Sequence, residues 1–170
     1  MPARERRGYG PDMDHVTRDA LKETDPQGLI GRWIDVFNER DFDGCRAIGA
    51  DVYVEHAVAP FGQIETGVVN GPRHLRETAE WLLAQFPDLR MTILALVVDG
   101  DTAAVRVQSE GTNQGPLNGV MPPTGKRFSA QQTHWFRIED GRLAEHWATR
   151  DDLSAMLQLG ILQPPGPPRR

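Results

Sequence analysis

Apolar positions recur at helical spacing through the first half of the chain, and beyond residue 90 they alternate instead. Asp25 can cap a helix, Pro26 suits its first turn, and Leu29, Ile30, Trp33, Ile34, Val36 and Phe37 share one arc. Asp41–Ile48 reads as a second short helix, leading into a strand over Val52–His56. Asn70, Gly71 and Pro72 open a further helix whose Leu75, Ala79, Leu82, Leu83 and Phe86 fall together, and Pro87 ends it. The period then changes. Met91–Val98 and Thr102–Ser109 flank Asp99-Gly100-Asp101, and Phe128–Ile138 and Arg142–Thr149 flank Glu139-Asp140-Gly141, which predicts two hairpins. Residues 110–127, rich in Gly and Pro, form a long irregular connection, and a last helix fits Asp151–Leu159 with Gly160 as its stop. Helices first and a largely antiparallel sheet afterwards is an α+β order. A curved sheet wrapped around helices makes a cone with an open, mostly apolar mouth, a shape that takes small molecules.

Alternation sorts the polar residues of the second hairpin into sets. Gln132, His134, Phe136 and Ile138 lie on one face of their strand, and Thr133, Trp135 and Arg137 on the other. On the next strand Ala144, His146 and Ala148 stand together, opposite to Glu145 and Trp147. Parity fixes these sets without saying which faces inward. Either histidine alone reads as hydrogen-bonded packing. On neighbouring strands of a tight hairpin, the two come within reach of each other and can donate, accept or shuttle a proton near neutral pH. Asp151 and Asp152 precede the last helix, where an aspartate is commonly a cap, but a carboxylate there beside Arg150 can also work as an acid or base. His56 ends its strand as a polar residue among apolar ones. Trp33 and Phe37 on the first helix, and Met121 in the long connection, read as core and lid packing that can also touch a bound molecule.

Composition narrows the classes. The 170 residues fit one domain: residues 1–24 read as a flexible extension in which Met13–Leu21 can form a turn of helix, 25–163 as the folded unit, and 164–170 as a Pro-rich tail. A net charge of −5 argues against nucleic acid or an anionic membrane as partner. The single cysteine, Cys45, excludes a disulfide framework and multi-cysteine metal sites, and no apolar run reaches membrane-spanning length. No metal-ligand spacing, phosphate loop, dinucleotide fingerprint or nucleophile elbow occurs, so the expectation is a cytoplasmic protein with no cofactor and no metal.

Gln85-Phe-Pro-Asp-Leu-Arg90, Gly111-Thr-Asn-Gln-Gly115, Met121-Pro-Pro-Thr-Gly-Lys126 and Phe128-Ser129, with Phe136-Arg-Ile-Glu-Asp-Gly-Arg142, Glu145-His-Trp147 and Gln158-Leu-Gly160, resemble the SnoaL-like polyketide cyclase (ester cyclase) family over about residues 27–161. The resemblance implies the cone-shaped α+β barrel of the nuclear transport factor 2-like superfamily. It also implies cofactor-free ring closure on a polyketide-like carbonyl compound, by removal of a proton next to the carbonyl, as in antibiotic biosynthesis. His134 matches the family's pocket histidine and Asp151 an acidic position common in the family. The position of the catalytic aspartate holds Ala148. That departure admits the related branch, which hydroxylates polyketide rings without a cofactor.

The sequence therefore predicts a tailoring enzyme for a polycyclic or polyketide-like substrate, with His134, Asp151, His146 and His56 as acid/base candidates. Trp33, Phe37, Met121, Gln132, Phe136 and Arg150 are the expected substrate contacts, and Arg150 or Gln132 can hold an oxyanion. A small-molecule carrier on the same cone is the non-enzymatic alternative. Epoxide opening would need paired carboxylates with an arginine, which parity does not assemble. If His134 and His146 face inward, Trp135 and Trp147 form an apolar outer patch, which predicts a homodimer through the sheet.

Overall fold

The computed structural model describes residues 25–59, 64–163 and 166. The expected extension, the turn at Met13–Leu21 and all of the tail but Gly166 lie outside the described residues. Helix α1 (Pro26–Asn38) starts where the Asp25 carboxylate accepts the Gln27 N–H, and it buries the predicted apolar arc. The second helix is shorter than its pattern predicts. Asp41 turns its carboxylate onto the Gly44 N–H and holds a turn there, so α2 is only Cys45–Ile48. Strand β1 (Gly49–Glu55) pairs with β2 (Gly67–Val69), an element too short to show any alternation. Asn70 caps α3 (Gly71–Gln85) by accepting the Arg73 N–H.

Both predicted hairpins form, β3 (Arg90–Asp99) with β4 (Thr102–Thr112) and β5 (Arg127–Glu139) with β6 (Arg142–Arg150). Asp140 and Gly141 turn the second one, with φ of 50° and 71°, as a tight hairpin requires. Because β4 runs on to Thr112, the irregular connection begins at residue 113, not 110. It is organised by buried Asn113, which donates to the carbonyls of Gln85 and Gly115 and accepts the Thr124 N–H. Asp151 caps α4 (Asp152–Gln158) and stays outside it.

The six strands lie in the order β2-β1-β6-β5-β4-β3. All neighbours are antiparallel except β1 and β6, which run parallel. The edge strands β2 and β3 do not pair with each other, so the sheet stays open, and bulges at Ile93/Ala95 and Arg137/Ile138 bend it. Helix α1 lies against β3 and β4, α3 against β1, and α4 against β5. The core fills the concave side, with Ala103, Val105 and Val107 of β4 and Phe128, Ala130 and Phe136 of β5 turned inward against Leu29, Trp33 and Phe37. This is the α+β cone that the order of elements predicts.

Candidate functional site

A chain of polar side chains crosses this apolar interior. Parity puts His134 of β5 and His146 of β6 on the concave side, and both are buried, at 5% and 9% exposure. His134 Nδ1 lies 2.9 Å from His146 Nε2, and the two rings are stacked. His146 Nδ1 lies 2.9 Å from both carboxylate oxygens of Glu55, which β1 places beside His146 in the parallel register. The far end of the Glu55 carboxylate meets His74 Nε2 of α3 at 3.0 Å, and its Oε1 also accepts the Ala57 N–H. At the cavity end, His134 Nε2 lies 3.0 Å from Gln132 Oε1. Trp33 packs behind the pair, 4.8 Å from His134 and 6.4 Å from His146 between ring centres.

Burial alone would raise the Glu55 pKa, but the hydrogen bonds from His146 and His74 hold it down at about 2. Glu55 is thus a buried anion, at 6% exposure, and it accepts from every partner. That fixes a proton on His146 Nδ1. Burial, with the neighbouring charges of His146 and Arg150, pushes His134 well below the usual histidine value and keeps it neutral. The line His134–His146–Glu55 then accommodates two proton counts. With His134 Nδ1–H donating to His146 Nε2, the His134 Nε2 carries a lone pair, and the Gln132 amide turns its NH2 group, in place of Oε1, towards it. With one proton more, His134 Nε2–H donates to Gln132 Oε1 and the positive charge sits on His146 against Glu55. Such an arrangement can take a proton from a bound molecule and give it back.

The empty space of the cavity together with its open mouth comes to about 960 Å³. Its walls are largely apolar, with Phe37, Trp81, Leu82, Phe86, Met91 and Phe128 among them. Glu55, Gln132, His134, His146, Arg150 and Asp152 bring the charge and hydrogen bonding to one wall. Arg150 stands across from Gln132 in the β5–β6 register. Its Nε donates to Asp152 at 3.3 Å, and its Nη2 donates to the Val58 carbonyl.

The structure brings His134, His146, Gln132, Arg150 and Phe37 together at the cavity and sends the other candidates elsewhere. Asp151 is exposed, and its carboxylate accepts the Ser154 N–H as a helix cap; Asp152 is the carboxylate that lines the cavity. His56 is on the convex face, stacked on Trp147 with ring centres 4.6 Å apart and 3.1 Å from Glu145. Phe136 is wholly buried core, Trp33 supports the histidines from behind, and Met121 packs onto the core from the long connection, outside the cavity wall. Glu55 and His74 are absent from the sequence-based candidates. The signal for Glu55 is the alternation of β1: it shares a side with Tyr53, so a strand that buries Tyr53 turns Glu55 in and His56 out. Among the described residues no group of three or more His, Cys, Asp and Glu could hold a metal ion, and no helix is long and apolar enough to cross a membrane.

The profile of the SnoaL-like polyketide cyclase family matches residues 27–159. Nogalonic acid methyl ester cyclase of Streptomyces nogalater is 29% identical over 120 residues, covering 70% of this chain and 89% of the relative. Among solved structures, TsrD from Streptomyces laurentii superposes with a TM-score of 0.68 at 31% identity, over 84% of this chain and 99% of that one. AclR from Streptomyces galilaeus, described as a candidate hydroxylase, gives a TM-score of 0.66 at 25% identity, over 82% and 83% of the two chains.

Proposed function

Because this chain belongs to the SnoaL-like polyketide cyclase family, it is an enzyme with a polyketide-type small molecule as substrate, and we propose that it closes a ring with His134 as proton carrier. The observation that carries the reading is the buried Glu55–His146–His134 line ending at the cavity. His134 Nε2 takes a proton from the carbon next to a substrate carbonyl, and the charge passes to His146, where Glu55 balances it. The resulting enolate carbon attacks a second carbonyl of the same molecule. The new C–C bond leaves an alkoxide, which recovers the proton from His134 Nε2. The product is an isomer of the substrate. Arg150, across from Gln132, holds the enolate oxygen, an interaction strengthened by the dry wall around it. Ala148 is the direct neighbour of His134 on β6, so the carboxylate implied there by family resemblance is missing, and Glu55 serves from one residue further away.

Nogalonic acid methyl ester, which the name of the Streptomyces nogalater relative supplies, is the first substrate to test. His134→Gln keeps reach and hydrogen bonding, and it should lower kcat by about 10²–10⁴ with little change in KM. Turnover within twofold of wild type would remove His134 from the mechanism. Ala148 favours a second reading, in which dioxygen adds to the same enolate carbon as a hydroperoxide, and an external thiol reductant supplies the two electrons that convert it to the ring hydroxyl and water. Reaction under nitrogen separates the two: ring closure persists and gives an isomer, whereas hydroxylation stops.

The catalytic unit in this reading is 25–163, it uses no cofactor, and it works in the cytoplasm as a homodimer joined through the convex face of the sheet.

A further inference from the structure

Gln132, His134, His146 and Arg150 occupy one wall of the cavity, yet the wall continues well beyond them. Along β4, Val105 stands opposite His134, and Ser109 follows on the same face opposite Ala130. Four residues of strand separate those rows, about 13 Å. Ser109 is 1% exposed and lines the cavity, and its Oγ has no hydrogen-bond partner among the described residues. Buried hydroxyls are normally satisfied, because an unmade hydrogen bond away from water is costly.

The neighbours of Ser109 do not relieve it. Met91 and Ala130 flank it in the ladder, and neither side chain hydrogen bonds to it. Gln85 also lines the cavity, but its amide bonds elsewhere: Nε2 donates to the Trp81 carbonyl and Oε1 accepts the Asn118 N–H. Between the rows of Ser109 and His134 the wall carries Gln132 and Arg150, and on the Ser109 side of them Phe86 and Phe128 meet edge to face.

We propose that Ser109 is a distal specificity residue, whose hydroxyl binds an oxygen substituent on the end of a flat polycyclic substrate remote from the ring being closed. The ligand class is a fused aromatic ketone or quinone that bears a hydroxyl or carbonyl at that end. The span of about 13 Å suits roughly three fused rings with their substituents. The role rests on the ring-closing reading given above, and it adds substrate selection at a second point of the cavity. An anchor so far from the reacting atoms contributes equally to bound substrate and transition state, so it acts on KM and leaves kcat alone.

The test compares 2-hydroxyanthraquinone with unsubstituted anthraquinone, titrated against the full chain by quenching of tryptophan fluorescence, since Trp81 lines the cavity. Wild type should bind the hydroxylated probe about 3- to 10-fold tighter, the usual yield of one neutral hydrogen bond. Ser109→Ala should close that gap to within twofold while binding anthraquinone as wild type does. It should also melt at or above the wild-type temperature, because it removes an unpaired buried hydroxyl. His134→Gln should keep the gap, which separates failure of the anchor from failure of the proton carrier. A gap unchanged in Ser109→Ala, or absent in wild type, overturns the proposal and leaves Ser109 holding a water at most.

Discussion

Glu55 makes the stability of the protein depend on acid. Its carboxyl titrates at about 2 in the fold, against 4.5 for an ordinary glutamate, a difference worth about 3 kcal/mol. A lowered carboxylate contributes that stability above the ordinary value and loses it as pH falls from about 4.5 towards 2. His134 acts higher on the scale. The fold keeps it neutral well below 6.5, whereas the unfolded chain binds the proton, so stability begins to decline as pH drops through 6.5. The melting temperature should fall in two stages, the first below pH 6.5 and the second below about 4.5. Glu55→Gln should melt lower at neutral pH and lose the second stage. A wild-type melting temperature constant from pH 7 to about 4 would contradict this account. Much of this chemistry is legible in residue spacing: the pairing of His134 with His146 and the place of Gln132 follow from parity on β5 and β6. The choice of Asp152 over Asp151 does not, because the alternation of β6 ends at Arg150 and the start of α4 decides which carboxylate turns in.

At the scale of elements, the connection after β4 does more than join strands. Asn113 ties it to the end of α3, and Gln85 of α3 ties it back through Asn118. Gly115 sits so close to α3 that an added Cβ would overlap the Ala84 carbonyl oxygen. Gly115→Ala should therefore destabilise the fold by about 1–3 kcal/mol in urea unfolding. It should also raise KM, because the displaced end of α3 carries Gln85 and Phe86 in the cavity wall. Wild-type stability in that variant would show that the contact relaxes freely. The long elements were readable because their periods repeat: α1, α3, both hairpins and the caps at Asp25 and Asn70 lie where spacing puts them. Local side-chain competition shortened α2, and β2 is defined by its partner strand, not by a pattern of its own.

At the scale of the molecule, the proposed assembly turns on the convex face. Trp135 and Trp147 are partners across β5 and β6 and remain 47% and 39% exposed. This pair of indoles, edged by His56 and by the Arg137–Glu145 ion pair, is the surface proposed for a second copy. Light scattering at micromolar concentration should return twice the 19.0 kDa mass of the chain, and Trp135→Glu should halve the result. A monomeric wild type would contradict it. The parallel pairing of β1 with β6 bears on how the enzyme comes into being. Glu55 and His146 stand 91 residues apart in sequence, so the hydrogen bond between them waits on one of the longest loop closures in the chain. The hairpins can nucleate locally, whereas this seam forms only after the ends of the folded unit have met. On the mechanism proposed above, a nascent or half-folded chain thus holds both histidines without the anion that would pair with them, and the proposed proton chemistry waits until folding is complete.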